Sequence, residues 1–134
     1  MRYAVVAVGK LKEKFWVQAC AEYVKRLGAY AKVEVREVAD IDPARAGGVE
    51  ASRAREGQEI LAAIPARSHV ILLAIDGKQR SSEQFSAHLD ELALRGKSDL
   101  TFVIGGSDGV SPEVRARANE TFSFGPITLP HNLA

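Results

Sequence analysis

Three short apolar runs, each closed by glycine, constrain this chain more than any other feature. Tyr3 to Val8 ends at Gly9, Val70 to Ile75 ends at Asp76-Gly77, and Leu100 to Ile104 ends at Gly105-Gly106. Continuous apolar runs of this length, rich in Val, Ile and Leu, are the pattern of strands buried on both faces. Strands of that kind belong to parallel sheets covered by helices, because a parallel neighbour needs a crossover and a helix is the usual one. The segments between the runs supply those helices.

Trp16, Ala19, Tyr23, Val24 and Leu27 recur at intervals of three and four, which predicts a helix ending near Gly28 with Cys20 as a small buried side chain. Val33 and Val35 alternate with Glu34 and Arg36, the mark of a less buried strand and of an edge position. Ala39 to Gly48, with Pro43 and two adjacent glycines, reads as a mobile loop before a helix from about Val49 to Ile64. Asp76-Gly77 reads as a turn, and Ser81 or Ser82 caps a helix carrying Phe85, Leu89 and Leu92 on one face up to Gly96. Ser111-Pro112-Glu113 caps a short helix running to about Ala118. Phe122 to Phe124 follows as a last strand, and Gly125 to His131 as an irregular loop. The expectation is one α/β domain over residues 1–134 around a largely parallel sheet, without repeats.

Composition narrows the function classes. The chain has 46% hydrophobic and 26% charged residues, the balance of an ordinary globular protein, and no apolar stretch long enough to cross a bilayer. A soluble, cytoplasmic protein is expected. Cys20 has no partner thiol, and His69, His88 and His131 show no metal-ligand spacing, so neither a disulfide nor a metal site is expected. A formal net charge of +1 does not by itself point to RNA.

In an open α/β sheet ligands bind beyond the carboxyl ends of the strands, which makes the loops at Gly9, Asp76, Gly105 and Gly125 candidates to share one crevice. Gly105-Gly106-Ser107-Asp108-Gly109 has the spacing neither of a dinucleotide fingerprint nor of a phosphate-binding loop. Taken alone, the glycine pair is better explained as a tight strand-to-helix turn, and Asp76 and Asp108 as turn and cap residues rather than an acid-base pair. Lys10, Lys12 and Lys14 after the first strand and Lys78 and Arg80 after the third form either a basic rim suited to a polyanion or a set of solvated loop residues.

Val6-Ala7-Val8-Gly9-Lys10, Ile104-Gly105-Gly106 and Ile127-Thr128-Leu129-Pro130-His131, in that order, resemble the ribosomal pseudouridine methyltransferase branch of the SPOUT superfamily. Glu56-Gly57 and Pro112 belong to the same resemblance, which covers essentially all 134 residues. It implies an α/β fold with a C-terminal trefoil knot and a homodimer. It also implies S-adenosylmethionine-dependent methylation at N3 of a pseudouridine in 23S ribosomal RNA, on assembled ribosomes. The implied cofactor contacts fall on Ala74, Gly106, Gly125, Pro126, Ile127, Thr128, Leu129 and Pro130. Lys10, Lys12 and His131 are candidates for holding the RNA; for His131, RNA positioning or loop structure ranks above a catalytic base, and no residue is assigned that role.

Family members continue beyond this loop with a further helix and a short Tyr, His and basic tail, whereas here only Asn132, Leu133 and Ala134 follow His131. The resemblance therefore implies weak cofactor binding and little activity for a chain that ends at Ala134. A ribosome-binding module that keeps the fold without turnover is the alternative, and an α/β enzyme acting on another nucleotide ligand is the third reading.

Overall fold

The computed structural model describes all residues, 1–134. The elements run β1 (Arg2–Val8), α1 (Lys14–Leu27), β2 (Lys32–Val38), α2 (Pro43–Ala46), α3 (Val49–Ala63), β3 (His69–Gln79), α4 (Ser82–Leu94), β4 (Asp99–Ile104), α5 (Pro112–Arg117) and β5 (Glu120–Ser123). The five strands form one sheet in the order β2-β1-β4-β3-β5, with every pairing parallel. This is the expected α/β architecture, and β2 does lie at an edge.

Alternation along the strands separates two cores. Val6, Val8, Val70, Leu72 and Val103 point to one face, where Ile60 and Ile64 at the end of α3 and Val114 of α5 cover them. Burying each such side chain contributes about 1.5–3 kcal/mol. The opposite face is aromatic: Tyr3 meets Phe102 edge-on, and Phe85 of α4 packs on Phe102 and Phe122. Ser81 locks the entry to α4 through a reciprocal cap, its Oγ accepting from the Gln84 N–H at 3.1 Å while Gln84 Oε1 accepts from the Ser81 N–H at 2.8 Å. No helix is long and apolar enough to cross a membrane.

The structure corrects four local expectations. Asp76-Gly77 is not a turn: β3 runs through it to Gln79, and Phe122 of β5 is matched first with Leu73 and again with Lys78. The residues in between bulge across β5, where a Cβ on Gly77 would sit 2.9 Å from the Phe122 backbone, so only glycine permits the crossing. The segment from Ala39 to Gly48 contains the single-turn helix α2, whose entry Asp42 caps by accepting from the Ala44 N–H at 3.0 Å. Helix α1 buries no residue, Tyr23 is exposed and Cys20 only half-buried, because α1 packs only on the edge strand β2.

The fourth correction concerns charge. Arg80 is turned inward to Glu120 and so does not extend the basic rim of Lys10 and Lys12, while Lys78 lies within β3, exposed, rather than in a loop after it. Glu120 accepts hydrogen bonds from Nε2 of His69 at 2.7 Å and of His88 at 2.7 Å, with Arg80 Nη1 at 3.5 Å. Burial raises the Glu120 pKa, but these partners outweigh it and hold the carboxyl below its ordinary value of 4.5. A lowered folded value means that Glu120 contributes stability above pH 4.5, and that this is lost as pH falls through the folded value. Glu120→Gln is expected to cost about 2 kcal/mol at neutral pH, with the deficit closing below about pH 4. Urea unfolding across this range checks it, and a deficit that persists in acid would contradict the assignment.

Candidate functional site

The carboxyl ends of β3, β4 and β5 enclose a cleft of about 230 Å³. Its floor is Leu72 to Ile75 and Ile104, one wall is the loop from Gly105 to Val110, and the other is the segment from Phe122 to Leu129. Six of the eight residues expected to contact the cofactor line it, namely Ala74, Gly106, Gly125, Ile127, Thr128 and Leu129. Pro126 and Pro130 do not; they shape the loop between lining residues. Ile127 and Phe124 offer large apolar surfaces, 75% and 60% exposed, on the wall of the cleft.

Of the four segments expected to converge, the loops after β4 and β5 do so, β3 contributes the strand stretch before Asp76 rather than a loop, and Gly9 stays outside. It supports the site from behind, because its backbone has φ +105° and the His131 ring lies over it, 3.1 Å from where a Cβ would begin. His131 Nε2 is 3.4 Å from the Lys10 carbonyl oxygen. The imidazole thus joins the loop after β5 to the loop after β1. Lys10 and Lys12 are exposed on that second loop, which the Leu11 N–H fixes by donating to Glu37 at 2.9 Å.

Three contributors went unassigned at the level of sequence. Ser123, almost fully buried, accepts from the Gly125 N–H at 3.0 Å, and its single hydroxyl proton faces the carbonyls of Ile75 at 3.0 Å and Gly125 at 2.9 Å. It staples the two strand ends that border the cleft. Arg115 of α5 lines the cleft, with Nη2 3.3 Å from Asp76 Oδ1. Asp76 is therefore an ion-pair partner rather than a turn residue.

The third contributor is Glu56. Ser52, Glu56, Ile60 and Ile64 follow one another at intervals of four and are all buried, so the stripe of α3 that faces the sheet carries a carboxyl group. This signal was present in the sequence. Glu56 Oε2 accepts from the Ile41 N–H at 2.9 Å, and Oε1 lies 3.3 Å from the Cβ position of Gly106, so one side chain supports both the segment after β2 and the glycine loop. Burial pushes its pKa above the ordinary 4.5; the Ile41 N–H opposes this, and the side chains of Asp40 and Asp108 add to it.

A raised folded value means that the stability contributed by Glu56 is full below pH 4.5 and is lost as pH rises through the folded value. Glu56→Gln keeps an acceptor without a charge, so its melting temperature is expected to equal or exceed wild type at about pH 8, with the advantage shrinking towards about pH 5. Glu56→Ala orphans the Ile41 N–H and is expected to cost about 1–3 kcal/mol. Thermal unfolding at the two pH values decides, and an advantage for Gln independent of pH would count against a titrating Glu56.

A family model described as a predicted SPOUT methyltransferase matches residues 1–134. A protein of Listeria monocytogenes serotype 4a named ribosomal RNA large subunit methyltransferase H is 57% identical over 99% of this chain and 86% of its own length. Proteins of the same name from Bacillus thuringiensis and Ligilactobacillus salivarius are 52% and 50% identical over the same shares. The cleft at the strand ends, the order of the loops around it and this full-length similarity lead to one conclusion: the chain belongs to the SPOUT methyltransferase family.

Proposed function

We propose that this protein transfers a methyl group from S-adenosylmethionine to N3 of a pseudouridine in 23S ribosomal RNA of the assembled large subunit. The observation that carries the reading is the mostly apolar cleft, bordered by glycine loops, at the carboxyl ends of β3, β4 and β5. An adenosine bearing a sulfonium needs apolar walls and backbone groups at close range. Ile104, Ile127 and Leu129 supply such walls, and Gly125, with nothing within 4 Å of its Cβ position, leaves its backbone open to approach, whereas Gly105 and Gly106 pack against Val110 and Glu56. When bound, the donor supplies an electrophilic methyl group.

The residues of this chain would act by placement. Ser123 and Gly125 hold the loop that flanks the cleft, Ala74 and Gly106 border its base, and the segment from Phe124 to Leu129 offers an exposed apolar wall for the donor to cover. Alignment of sulfur, methyl and acceptor nitrogen in such a site is worth most of the acceleration of an in-line displacement. Lys10, Lys12 and His131 lie on the neighbouring edge, where an RNA backbone would approach. His131, bound to the Lys10 carbonyl, keeps the RNA-facing and donor-facing loops in register.

A trefoil knot and a homodimer belong to the same reading. An α1 that buries nothing and exposes Phe15, Tyr23 and Leu27 supports a second copy covering it.

The test is methyl incorporation from S-adenosylmethionine into large subunits that lack the modification, with mass spectrometry of the released nucleosides. N3-methylpseudouridine is the expected product. A product methylated elsewhere overturns the position, and donor binding without incorporation would establish the non-catalytic module instead. His131→Ala is expected to lower incorporation about tenfold or more while leaving donor affinity within about twofold. Undiminished turnover would remove His131 from the reading.

A further inference from the structure

The cleft contains one charge that the proposed function has not used. Among the side chains lining it, only that of Arg115 carries a formal charge; the rest are apolar, glycine or hydroxyl-bearing. Its placement is fixed by α5: Val114 is fully buried against the sheet, and Ser111 caps the helix start by accepting from the Val114 N–H at 3.4 Å. The helix therefore cannot rotate Arg115 out of the cleft without withdrawing Val114 from the core.

The guanidinium is only partly engaged. One nitrogen, Nη2, is 3.3 Å from Asp76 Oδ1, and the side chains of the pair are 50% and 71% exposed. An exposed pair of this kind is worth little, and a guanidinium has five N–H donors in a rigid fork. Arg115 is thus held at the cleft by a weak partner, with donors to spare for a carboxylate, the group its fork fits in a bidentate manner.

We propose that Arg115 binds the carboxylate at the amino-acid end of the methyl donor and so determines which way round the donor lies. This rests on the cleft being the methyl-donor site. A cation there attracts the α-carboxylate, whereas the reversed orientation would set the neutral adenine beside α5 and leave the guanidinium without an anionic partner. The adenosine end is left to the apolar wall of Ile127 and Leu129. Asp76 both aims the guanidinium and competes for it.

Calorimetry with two probes tests this. S-adenosylhomocysteine carries the amino-acid end, and 5′-methylthioadenosine lacks it. Arg115→Ala is expected to weaken S-adenosylhomocysteine about tenfold or more, the scale of one charged hydrogen bond, while 5′-methylthioadenosine changes less than about twofold. Arg115→Lys should recover part of the loss. Asp76→Asn should tighten S-adenosylhomocysteine about two- to threefold and leave 5′-methylthioadenosine unchanged.

Equal losses for both probes, or no loss for S-adenosylhomocysteine, overturn the assignment. If donor affinity is intact but half-saturation for ribosomal subunits rises, Arg115 contacts an RNA phosphate instead. If wild-type protein binds the two probes equally well, the donor site stands and the carboxylate contact falls. If it binds neither, the methyl-donor reading itself fails.

Discussion

Gly77 lies against the Phe122 backbone with no room for a Cβ, and the carboxyl edge of the sheet is organised around that contact. Because β3 bulges across β5 there, Leu73 and Lys78 both pair with Phe122, and Ser123 comes within hydrogen-bonding reach of Ile75. The ends of two strands are thereby held side by side, and the segment from Gly125 to Leu129 leaves them in the direction that makes one wall of the cleft. A larger residue at position 77 would push the strands apart, and the site would lose its shape before any lining residue had changed.

Two carboxyl groups, Glu56 buried and Glu120 half-buried, are used in opposite ways. Glu120 gathers two imidazoles and a guanidinium, tying β3, α4 and β5 together, and its partners favour the ionised form. Glu56 stands behind the glycine loop with a single backbone donor and two acidic neighbours, and its surroundings favour the neutral form. The difference is one of partners rather than burial, since burial raises both. One carboxyl fastens the scaffold through cationic partners, and the other supports the site through a single backbone donor.

The chemistry of the cleft comes mainly from shape. Its lining is apolar and backbone-rich, with hydroxyls at the rim and one guanidinium at one end. Such a site suits a ligand that brings its own reactive group and needs orientation, as SPOUT methyltransferases require of their donor. The basic residues Lys10 and Lys12 stand outside this cleft, on a loop joined to it through His131. In the proposed reading, donor and RNA contacts are therefore adjacent but carried by different loops.

Local pattern was enough for the buried strands, the cap at Ser111, a serine cap at 81 or 82, the edge position of β2 and a largely parallel α/β class. Each of these follows from side-chain periodicity or from hydrogen bonds within a few residues. The ordered motifs also carried the family. Periodicity is silent about contacts between residues far apart in sequence, and those decided the rest: Gly77 over Phe122, Arg80 turned in to Glu120, His131 over Gly9, and Arg115 beside Asp76. Asp76-Gly77 has the composition of a turn, yet the crossing of β5 keeps it extended, because tertiary packing outweighs the weak local preference of two residues. The sequence by itself determined which segments are buried strands and that a site belongs at their carboxyl ends; only the folded chain decided which loops meet there and which side chains they turn inward, since that depends on the space left by neighbours dozens of residues away.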